Sequence, residues 1–401
     1  MTCRQPPFGE RCLISPLVGK IRRTLILYSI KVKTESILFA RERIFFMFHI
    51  SKVYTVESVT AGHPDKVCDQ ISDAILDECL AQDSMSRVAV ETFGGHGLLV
   101  IGGEVTTQAH VDYEAVARRV YRDIGYTDEL RVITNVVEQS RDIAQGVDTG
   151  GAGDQGIMYG FACDETPEFL PHGLVLAHNL TCGLDGLRKS GKISWLYPDG
   201  KTQVTMEGDR VKTILVSAQH NPEISQDEIR ADIVRELILP FNNLTKLLKG
   251  DVEVLVNPTG VFVRGGFDAD TGLTGRKIMV DTYGGLAPHG GGAFSGKDPT
   301  KVDRSAAYMC RFVAKNIVAH GFAHACLVSV AYAIGRAEPL MTHAINEKGE
   351  SLAELVKNNF DFRPAAIIER LMLRRPLYRA TATYGHFGHG AHPWEQRSAL
   401  L

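Results

Sequence analysis

Alternating apolar and polar side chains predict one β-hairpin clearly. Residues 87–93 and 97–107 alternate on either side of the sequence GGHG at 94–97. Such alternation is typical of half-buried strands, and the glycines suit a tight turn. A two- or four-residue loop there gives a pairing in which positions sum to 191, with Glu91 and Glu104 on one face. Two acids on one face suit a cation or an ammonium group, although a solvated face is the simpler interpretation.

Apolar positions spaced by three and four residues predict helices, the first of them after the sequence GHPDK at 62–66. This amphipathic run continues to Cys79. Pro64 suits the first position of a helix, which places His63 at the cap and Asp65 in the first turn. Capping alone would explain Asp65, because an acid in a first turn stabilises a helix by up to about 1 kcal/mol without any ligand.

The same two periods predict the remaining elements. Helices are expected at 113–124, 226–239, from 303, at 352–358 and at 365–373, and strands at 252–256, 262–264, 278–281 and 327–334, with a second hairpin turning at 207–209. A hairpin followed by a helix occurs twice before residue 240, and a strand-and-helix set recurs at the end. We therefore predict three related α/β units with antiparallel or mixed pairing rather than one doubly wound sheet.

A glycine-rich segment, GGGAFSGKD at 290–298, precedes the helix predicted from residue 303. Glycines let a backbone approach a ligand and direct its N–H groups at it, and Lys297 and Lys301 can balance phosphate charge. A nearby Asp can hold the magnesium ion that accompanies phosphate. The segment is not a Walker A loop, because Asp298 stands where that motif requires Ser or Thr. By itself it predicts a phosphate-binding loop no more strongly than an ordinary glycine-rich turn.

Composition narrows the class of protein. The chain has 401 residues, of which 44% are hydrophobic and 23% charged, as expected of a soluble globular protein with two or three domains. A net charge of −3 gives no general reason to expect nucleic acid or a membrane as partner. The eight cysteines are scattered without a C-x-x-C pair, which disfavours a zinc site and fits reduced thiols in the cytoplasm.

Residues 1–46 differ from the rest of the chain. They carry nine Lys/Arg against three Asp/Glu. The apolar run at 25–28 is too short to span a bilayer. A basic, acid-poor segment can be an organelle-targeting sequence, but we favour a translation start at Met47, with residues 1–46 as a non-native or disordered extension.

A second unusual segment lies at 139–156, where the sequence is QSRDIAQGVDTGGAGDQG. It contains five glycines, shows neither the helical nor the strand period, and is mostly polar. Connections of this length are usually functional lids or disordered segments.

Taken together and in order, seven segments resemble the S-adenosylmethionine synthetases (methionine adenosyltransferases), with similarity from about Phe48 to Glu395. They are GHPDK at 62–66, GGEVTT at 102–107, GAGDQG at 151–156, PDGKTQV at 198–204, TGLTGRKIMVDTYGG at 271–285, GGGAFSGKDPTKVDRSAAY at 290–308 and TATYGHFG at 381–388. The resemblance implies an α+β fold of three structurally similar, intertwined units. We expect them at 47–149 (with a mobile active-site loop at 139–149), 150–264 and 265–401. Family members begin just before the position of Tyr54, which supports a start at Met47.

The resemblance also implies a reaction. Methionine sulfur attacks C5′ of ATP and displaces the triphosphate, which is then hydrolysed to phosphate and diphosphate. The expected cofactors are Mg²⁺, two ions per site, and K⁺. A cytoplasmic homodimer with active sites shared between subunits, often paired into a tetramer, is expected, with no nucleic-acid or membrane partner.

Matched position by position, the resemblance gives catalytic roles to His63, Lys201 and Lys297, with His63 assisting the departure of the triphosphate. The residues expected to bind ATP are His63, Asp199, Lys201, Phe262, Asp270, Arg276, Lys277, Ala293 and Lys297. Those expected to contact methionine are Glu104, Gln139, Asp154, Asp270 and Lys301. The expected metal ligands are Asp65 and Asp303 for Mg²⁺ and Glu91 for K⁺.

The chain departs from the family pattern at a few positions. Val261 replaces the Arg of the family sequence TGRF, Arg264 replaces an apolar residue, and Arg141 stands where Pro is usual. The segments before Gln139 and Gly151 are shorter than usual. Residues three apart in a strand point to opposite faces, so Arg264 is not expected to replace the missing Arg. A catalytically silent homologue and a phosphate-loop ATPase are the alternative functions.

Overall fold

The computed structural model describes residues 53–139, 150–240 and 251–399. The chain divides into two units, Met1–Met47 and Phe48–Leu401. The predictions for residues 1–46, and those for 140–149 including Arg141, lie outside the described residues. Within the described part, no helix has the length and apolar character needed to cross a bilayer.

The described residues form three sheets from strands of different parts of the chain. The strands are β1 (Val53–Val59), β2 (Arg87–Gly95), β3 (Leu98–Thr106), β4 (Arg131–Val137), β5 (Gly156–Cys163), β6 (Leu196–Glu207), β7 (Arg210–His220), β8 (Glu253–Val256), β9 (Gly272–Leu273), β10 (Ala325–Tyr332) and β11 (Met341–Asn346).

The helices connect these strands and cover them. They are α1 (Pro64–Gln82), α2 (Tyr113–Ile124), α3 (His172–Lys189), α4 (Gln226–Asp232, continuing as a π-helical segment Ile233–Ile238), α5 (Ile278–Asp281), α6 (Val302–Ala319), α7 (Ala353–Asn359) and α8 (Pro364–Arg370). The predicted caps are confirmed: His63 caps α1 through its side chain, and Gly125 ends α2 with a φ of 119°.

Each sheet contains a strand that is distant in sequence from its neighbours. The strand orders are β1-β6-β7-β8, β4-β3-β2-β9 and β11-β10-β5. The pairs β7–β8 and β3–β4 are parallel, and the remaining pairs are antiparallel. Because β1, β5 and β9 each complete a sheet formed mainly by another segment, the units are intertwined. The predicted α+β fold with mixed and antiparallel sheets is confirmed.

Two buried apolar clusters hold these layers together. One joins β1, α3, β6, β7 and α4. The larger one joins α1, β2, β3 and α2 to β5, α6 and β10. The chain thus folds α1 and α6, whose first turns carry candidate ligands, into the same core.

The predicted hairpin forms, but its predicted register is wrong. Gly95 pairs with Leu98, so paired positions sum to 193 rather than 191. The cause is a two-residue turn at His96 and Gly97, whose φ angles of 49° and 77° both lie in the left-handed region that such hairpin turns favour. Since the error is an even number of residues, the predicted faces of the strands are unchanged.

Two of the predicted strands are also wrong. Residues 278–281 form the short helix α5, because three apolar residues followed by an aspartate are too few to show a period that separates strand from helix. Residues 262–264 form no strand. Their backbone instead forms hydrogen bonds with Gln219 and His220. The N–H of His220 donates to the Phe262 carbonyl at 2.9 Å, the N–H of Phe262 donates to His220 Nε2 at 3.0 Å, and Gln219 Nε2 donates to the Val263 carbonyl at 3.0 Å.

Candidate active site

The first turn of α1 brings three sequence-predicted residues together. Asp65 is buried, and its Oδ2 lies 2.7 Å from Lys277 Nζ. Its Oδ1 accepts the backbone N–H of Leu273 at 3.0 Å and lies 3.5 Å from Arg276 Nε. The GHPDK and TGRK segments therefore form one charged cluster, with Asp65 at its centre.

His63 lies beside this cluster and is a neutral imidazole near pH 7. Burial, followed by the charges of Lys277, Lys201, Lys66 and Arg276, lowers its pKa to about 2. Its Nδ1 accepts the backbone N–H of Asp65 at 3.2 Å. In a neutral imidazole the other nitrogen then carries the proton, so Nε2–H is a hydrogen-bond donor.

The start of β6 brings the PDGK segment to the same end of α1. Lys201 pairs with Val59, at the end of β1, and its side chain is exposed. Asp199 is buried, which raises the pKa of its carboxyl to about 6, and its Oδ2 accepts the N–H of Gly266 at 2.8 Å. Among the described atoms, Asp199 Oδ1 is buried without a hydrogen-bond partner. A ligand's donor group could satisfy it.

The glycine-rich segment continues the sheet rather than forming an isolated turn. Lys297 forms a bridge with Ala89 of β2, and the N–H of Val90 donates to the Gly296 carbonyl at 3.0 Å. Gly296 has a φ of 80°, and a Cβ there would lie 1.9 Å from the Val90 carbonyl oxygen. Only glycine allows this close approach to β2.

A second aspartate–lysine pair lies where this segment enters α6. Asp303 Oδ2 is 2.7 Å from Lys297 Nζ, and both side chains are about one-quarter exposed. A Cβ at Gly292 would lie 2.3 Å from the Asp303 carboxyl carbon, so the glycine loop lies directly against that carboxylate. Lys301 occupies the N-cap position of α6, and its side chain forms an ion pair with Asp298 instead of a capping hydrogen bond.

The two clusters are built alike but are separate. Asp65 and Asp303 are each the second residue of a helix, and each forms an ion pair with a lysine at 2.7 Å. No hydrogen bond or ion pair between described residues joins one pair to the other. In the same ranges there is no group of three or more His, Cys, Asp or Glu side chains placed to hold a metal ion.

The remaining predicted residues lie in more open positions. Glu91 is opposite Gly102, two positions from Glu104, so the two acids are diagonal neighbours on one sheet face. Asp154 and Asp270 are exposed, and Phe262 is half-buried. Ala293 lies against Gly275, since a Cβ on that glycine would be 2.3 Å from the Ala293 Cβ. Gln139 is the last described residue before the gap, and its Oε1 is buried without a partner among described atoms.

Sequence reasoning missed a row of acids on α1, Asp65, Asp69, Asp73 and Asp77, which we call the aspartate face. Each accepts backbone N–H groups from the C-terminal half: Leu273, Gly275, Gly296, and both Tyr378 and Arg379, respectively. The signal was present, because a spacing of four puts these residues on one side of a helix.

Two of these acids also form fully buried ion pairs. Asp69 and Asp281 of α5 both contact Lys66 Nζ, and Asp73 makes a bidentate pair with Arg304 at 2.6 and 2.9 Å. These contacts fix the segments that carry Lys277 and Lys297 against α1.

Three family models cover most of the chain. The S-adenosylmethionine synthetase N-terminal domain matches residues 51–145, the central domain matches 149–262 and the C-terminal domain matches 264–396.

Curated relatives agree with these matches. The S-adenosylmethionine synthase of Thermus thermophilus is 51% identical over 379 residues, which covers 86% of this chain and 96% of that protein. The S-adenosylmethionine synthase of Desulforudis audaxviator is 52% identical over 380 residues, or 86% of this chain and 95% of that protein. The S-adenosylmethionine synthase of Sorangium cellulosum is 52% identical over 375 residues, which covers 87% of this chain and 89% of that protein.

Proposed function

The chain belongs to the S-adenosylmethionine synthetase family, and we propose that it is a methionine adenosyltransferase that uses ATP and L-methionine. The methionine sulfur attacks C5′ of ATP and displaces triphosphate, which is then hydrolysed to phosphate and diphosphate. The observation that carries the proposal is the cluster at the start of α1, where a neutral His63 lies beside Asp65 and Lys277. No covalent enzyme intermediate is needed, so catalysis rests on positioning and on stabilising the charge of the leaving group.

His63 acts in this scheme as a hydrogen-bond donor rather than as a strong acid. In the chain without ATP its pKa is about 2, so at neutral pH the imidazole carries only the proton on Nε2. The Nε2–H group can donate to the ATP 5′ oxygen as negative charge develops there. Such a donor is most effective when it is fixed before the reaction and shielded from water, and His63 is buried and held at the cap of α1.

The lysines near the two aspartates form a polyphosphate clamp. Lys277 and Lys297 each contact a carboxylate in the absence of ligand. A bound triphosphate would offer both lysines, together with Arg276 and the exposed Lys201, more negative charge than one carboxylate does. We assign the binding of the rest of ATP to Asp199, Phe262, Asp270 and Ala293.

We assign the Mg²⁺ ligands to Asp65 and Asp303. Mg²⁺ is usually held by one or two carboxylates, substrate phosphates and water, so two separate aspartates next to phosphate-binding lysines fit its needs. The bound ions would neutralise the polyphosphate charge. Glu91, whose carboxylate lies on an exposed sheet face beside Glu104, is assigned to K⁺.

Methionine binding is assigned to residues of both charge signs, which suits an amino acid. The acids can contact the ammonium group and stabilise the sulfonium that forms, and the lysine can contact the carboxylate. The residues are Glu104, Gln139, Asp154, Asp270 and Lys301.

We propose a homodimer with shared active sites, which can pair into a tetramer, in the cytoplasm. Two observations support the dimer. The aspartate–lysine pairs are separate within one chain, so a partner subunit could complete each site. In addition, Phe93, Ile133 and Val137 expose 40–55% of their surface on the face of the β2-β3-β4 sheet that carries Glu91 and Glu104. Apolar patches of this kind mark protein interfaces.

Incubation with ATP, with and without methionine, tests the activity. We expect phosphate, diphosphate and a sulfonium product to appear together and only when methionine is present. Release of ADP and phosphate would indicate an ATPase instead, and no turnover would indicate a silent homologue. Sedimentation of the purified protein at several concentrations tests the dimer, since a monomer at assay concentrations would contradict shared sites.

A further inference from the structure

The C-terminal segment TATYGHFG at 381–388 contributes no residue to the proposed site. Within it, Tyr384 has a φ of 59°, a left-handed conformation that a bulky residue rarely adopts. Its hydroxyl donates to Asp185 Oδ2 at 2.6 Å, and its carbonyl accepts from His389 Nε2 at 3.1 Å. Strained conformations of this kind persist where surrounding contacts fix them, and they occur often near functional sites.

Asp185, on α3, connects Tyr384 to the catalytic turn. The same Oδ2 atom that accepts the Tyr384 hydroxyl also accepts the backbone N–H of Ala61 at 2.9 Å. Its other oxygen pairs with Arg188 at 3.1 Å, and the side chain is 3% exposed. The carboxylate is therefore held by three donors, one of which belongs to the residue two positions before His63.

Other backbone groups of the turn from Thr60 to His63 are held by hydrogen bonds to other elements or within the turn itself. The Ala61 carbonyl accepts from Gln70 Nε2 at 2.7 Å, and the Gly62 carbonyl accepts from the Tyr126 hydroxyl at 2.6 Å. The N–H of His63 donates to the Thr60 carbonyl at 3.2 Å. Asp185 is the partner of the Ala61 N–H, and it depends in turn on a tyrosine from the C-terminal segment.

We propose that Tyr384 and Asp185 are positioning residues, which hold the turn that carries His63 in the orientation needed to cleave the C5′–O bond of ATP. This inference rests on the proposed function and adds to it a role for the TATYGHFG segment. Without the phenol hydroxyl, the Asp185 carboxylate loses one of its donors, and the Ala61 N–H is held less rigidly. Small displacements of a reacting group are costly, because catalysis requires near-attack geometry.

The two steps of the reaction separate this role from a general structural one. His63 is assigned to the cleavage that forms the sulfonium product. Hydrolysis of triphosphate is assigned instead to the lysines and the metal ligands. Asp65, the assigned metal ligand nearest His63, is held separately by the Leu273 N–H and by Lys277. A disturbed His63 turn should therefore slow the first step and leave the second nearly unchanged, whereas a loosened fold should slow both.

The experiment uses the full chain with the substitution Tyr384→Phe. We measure sulfonium formation from ATP and methionine and, separately, hydrolysis of added inorganic triphosphate. We expect kcat for sulfonium formation to fall by about tenfold while both KM values stay within about twofold, and triphosphate hydrolysis to change by less than about twofold.

Tyr332→Phe is the matched control. Tyr332 is a buried tyrosine of β10 whose hydroxyl donates to the Phe362 carbonyl at 2.5 Å. The substitution removes a similar hydrogen bond away from the His63 turn. The rates of sulfonium formation and of triphosphate hydrolysis should therefore both equal those of the unsubstituted chain or fall by the same factor.

Asp185→Asn gives a second, independent measurement and decides the question if Tyr384→Phe does not fold. It should produce the same separation of the two rates. Equal loss of both rates in the folded variants, or no loss in either rate, would overturn the positioning role. If the unsubstituted chain forms no sulfonium product at all, the proposed function fails instead.

Discussion

Lys277 Nζ lies 2.7 Å from Asp65 Oδ2, although 212 positions separate the two residues in the sequence. Asp303 and Lys297 repeat the arrangement at the start of α6, with the same 2.7 Å separation but only six positions apart. Each pair lies at a helix N-terminus, where anions are favoured, and in the proposed mechanism it places a cation for phosphate next to a carboxylate for Mg²⁺. The following predictions test what these pairs and their supports do.

Asp303→Asn should lower kcat by about a hundredfold or more, because an electrostatic group near the developing charge is removed. The thermal midpoint should stay nearly unchanged, since Asp303 is partly exposed. We would measure steady-state kinetics over a range of Mg²⁺ concentrations and, separately, thermal unfolding. Asp112→Asn is the control, because Asp112 is only the N-cap of α2 and Asn caps equally well. A destabilised Asp303→Asn enzyme with normal turnover would show that Asp303 only stabilises the first turn of α6.

Arg264→Ala should change the KM for ATP by less than about threefold, well short of the tenfold change that a lost phosphate contact would cause. The expected strand is absent there, but the Arg264 guanidinium is engaged elsewhere: Nε lies 2.8 Å from Asp268 Oδ2 on the surface. Arg276→Ala is the comparison and should raise this KM by about tenfold or more.

Val261 is 74% exposed, and Val261→Arg should lower the KM for ATP by restoring the family's arginine. A tenfold or larger rise in the KM for Arg264→Ala would mean that Arg264 had taken over that arginine's role.

Lys66→Met should destabilise the protein by about 3–5 kcal/mol, because it leaves two buried carboxylates without their cation. Lys66 is fully buried, and its Nζ contacts both Asp69 and Asp281. The measurement is the thermal midpoint of Lys66→Met compared with that of Lys348→Met, a control that removes an exposed lysine. Equal midpoints for the two variants would contradict the ion-pair network.

Because His178 is buried, we expect the protein to be less stable in mild acid than at pH 7. His178 is hydrogen-bonded to the Ser58 hydroxyl at 2.8 Å, and burial lowers its pKa from 6.5 to about 3. Below pH 6.5 the unfolded chain binds a proton that the folded chain does not. Stability is therefore lost as pH falls, by about 2 kcal/mol between pH 7 and pH 5.

Replacement by His178→Gln should remove this part of the pH dependence, measured as the difference between thermal midpoints at pH 7 and pH 5. The exposed His110→Gln should leave that difference unchanged. If the His178 variant shows the same acid sensitivity as the parent chain, other groups cause it.

Features that depend on neighbouring residues could be predicted from the sequence. The cap at His63, the end of α2 at Gly125 and the hairpin all follow from residue types within a few positions, and the family followed from the order of short motifs. Local patterns failed where they were ambiguous. The run at 278–281 became a helix, and the turn at His96 and Gly97 shifted the hairpin register by two residues.

Tertiary structure alone decided what the aspartate face of α1 contacts. The sequence places Asp65, Asp69, Asp73 and Asp77 on one side of the helix, which would ordinarily predict a solvated surface. The folded chain instead buries this side, and each carboxylate accepts backbone N–H groups from residues 206–302 positions away. A buried carboxylate is stable only when such donors surround it. Because those donors come together only in the folded chain, no local pattern could predict that α1 positions Lys277 and Lys297.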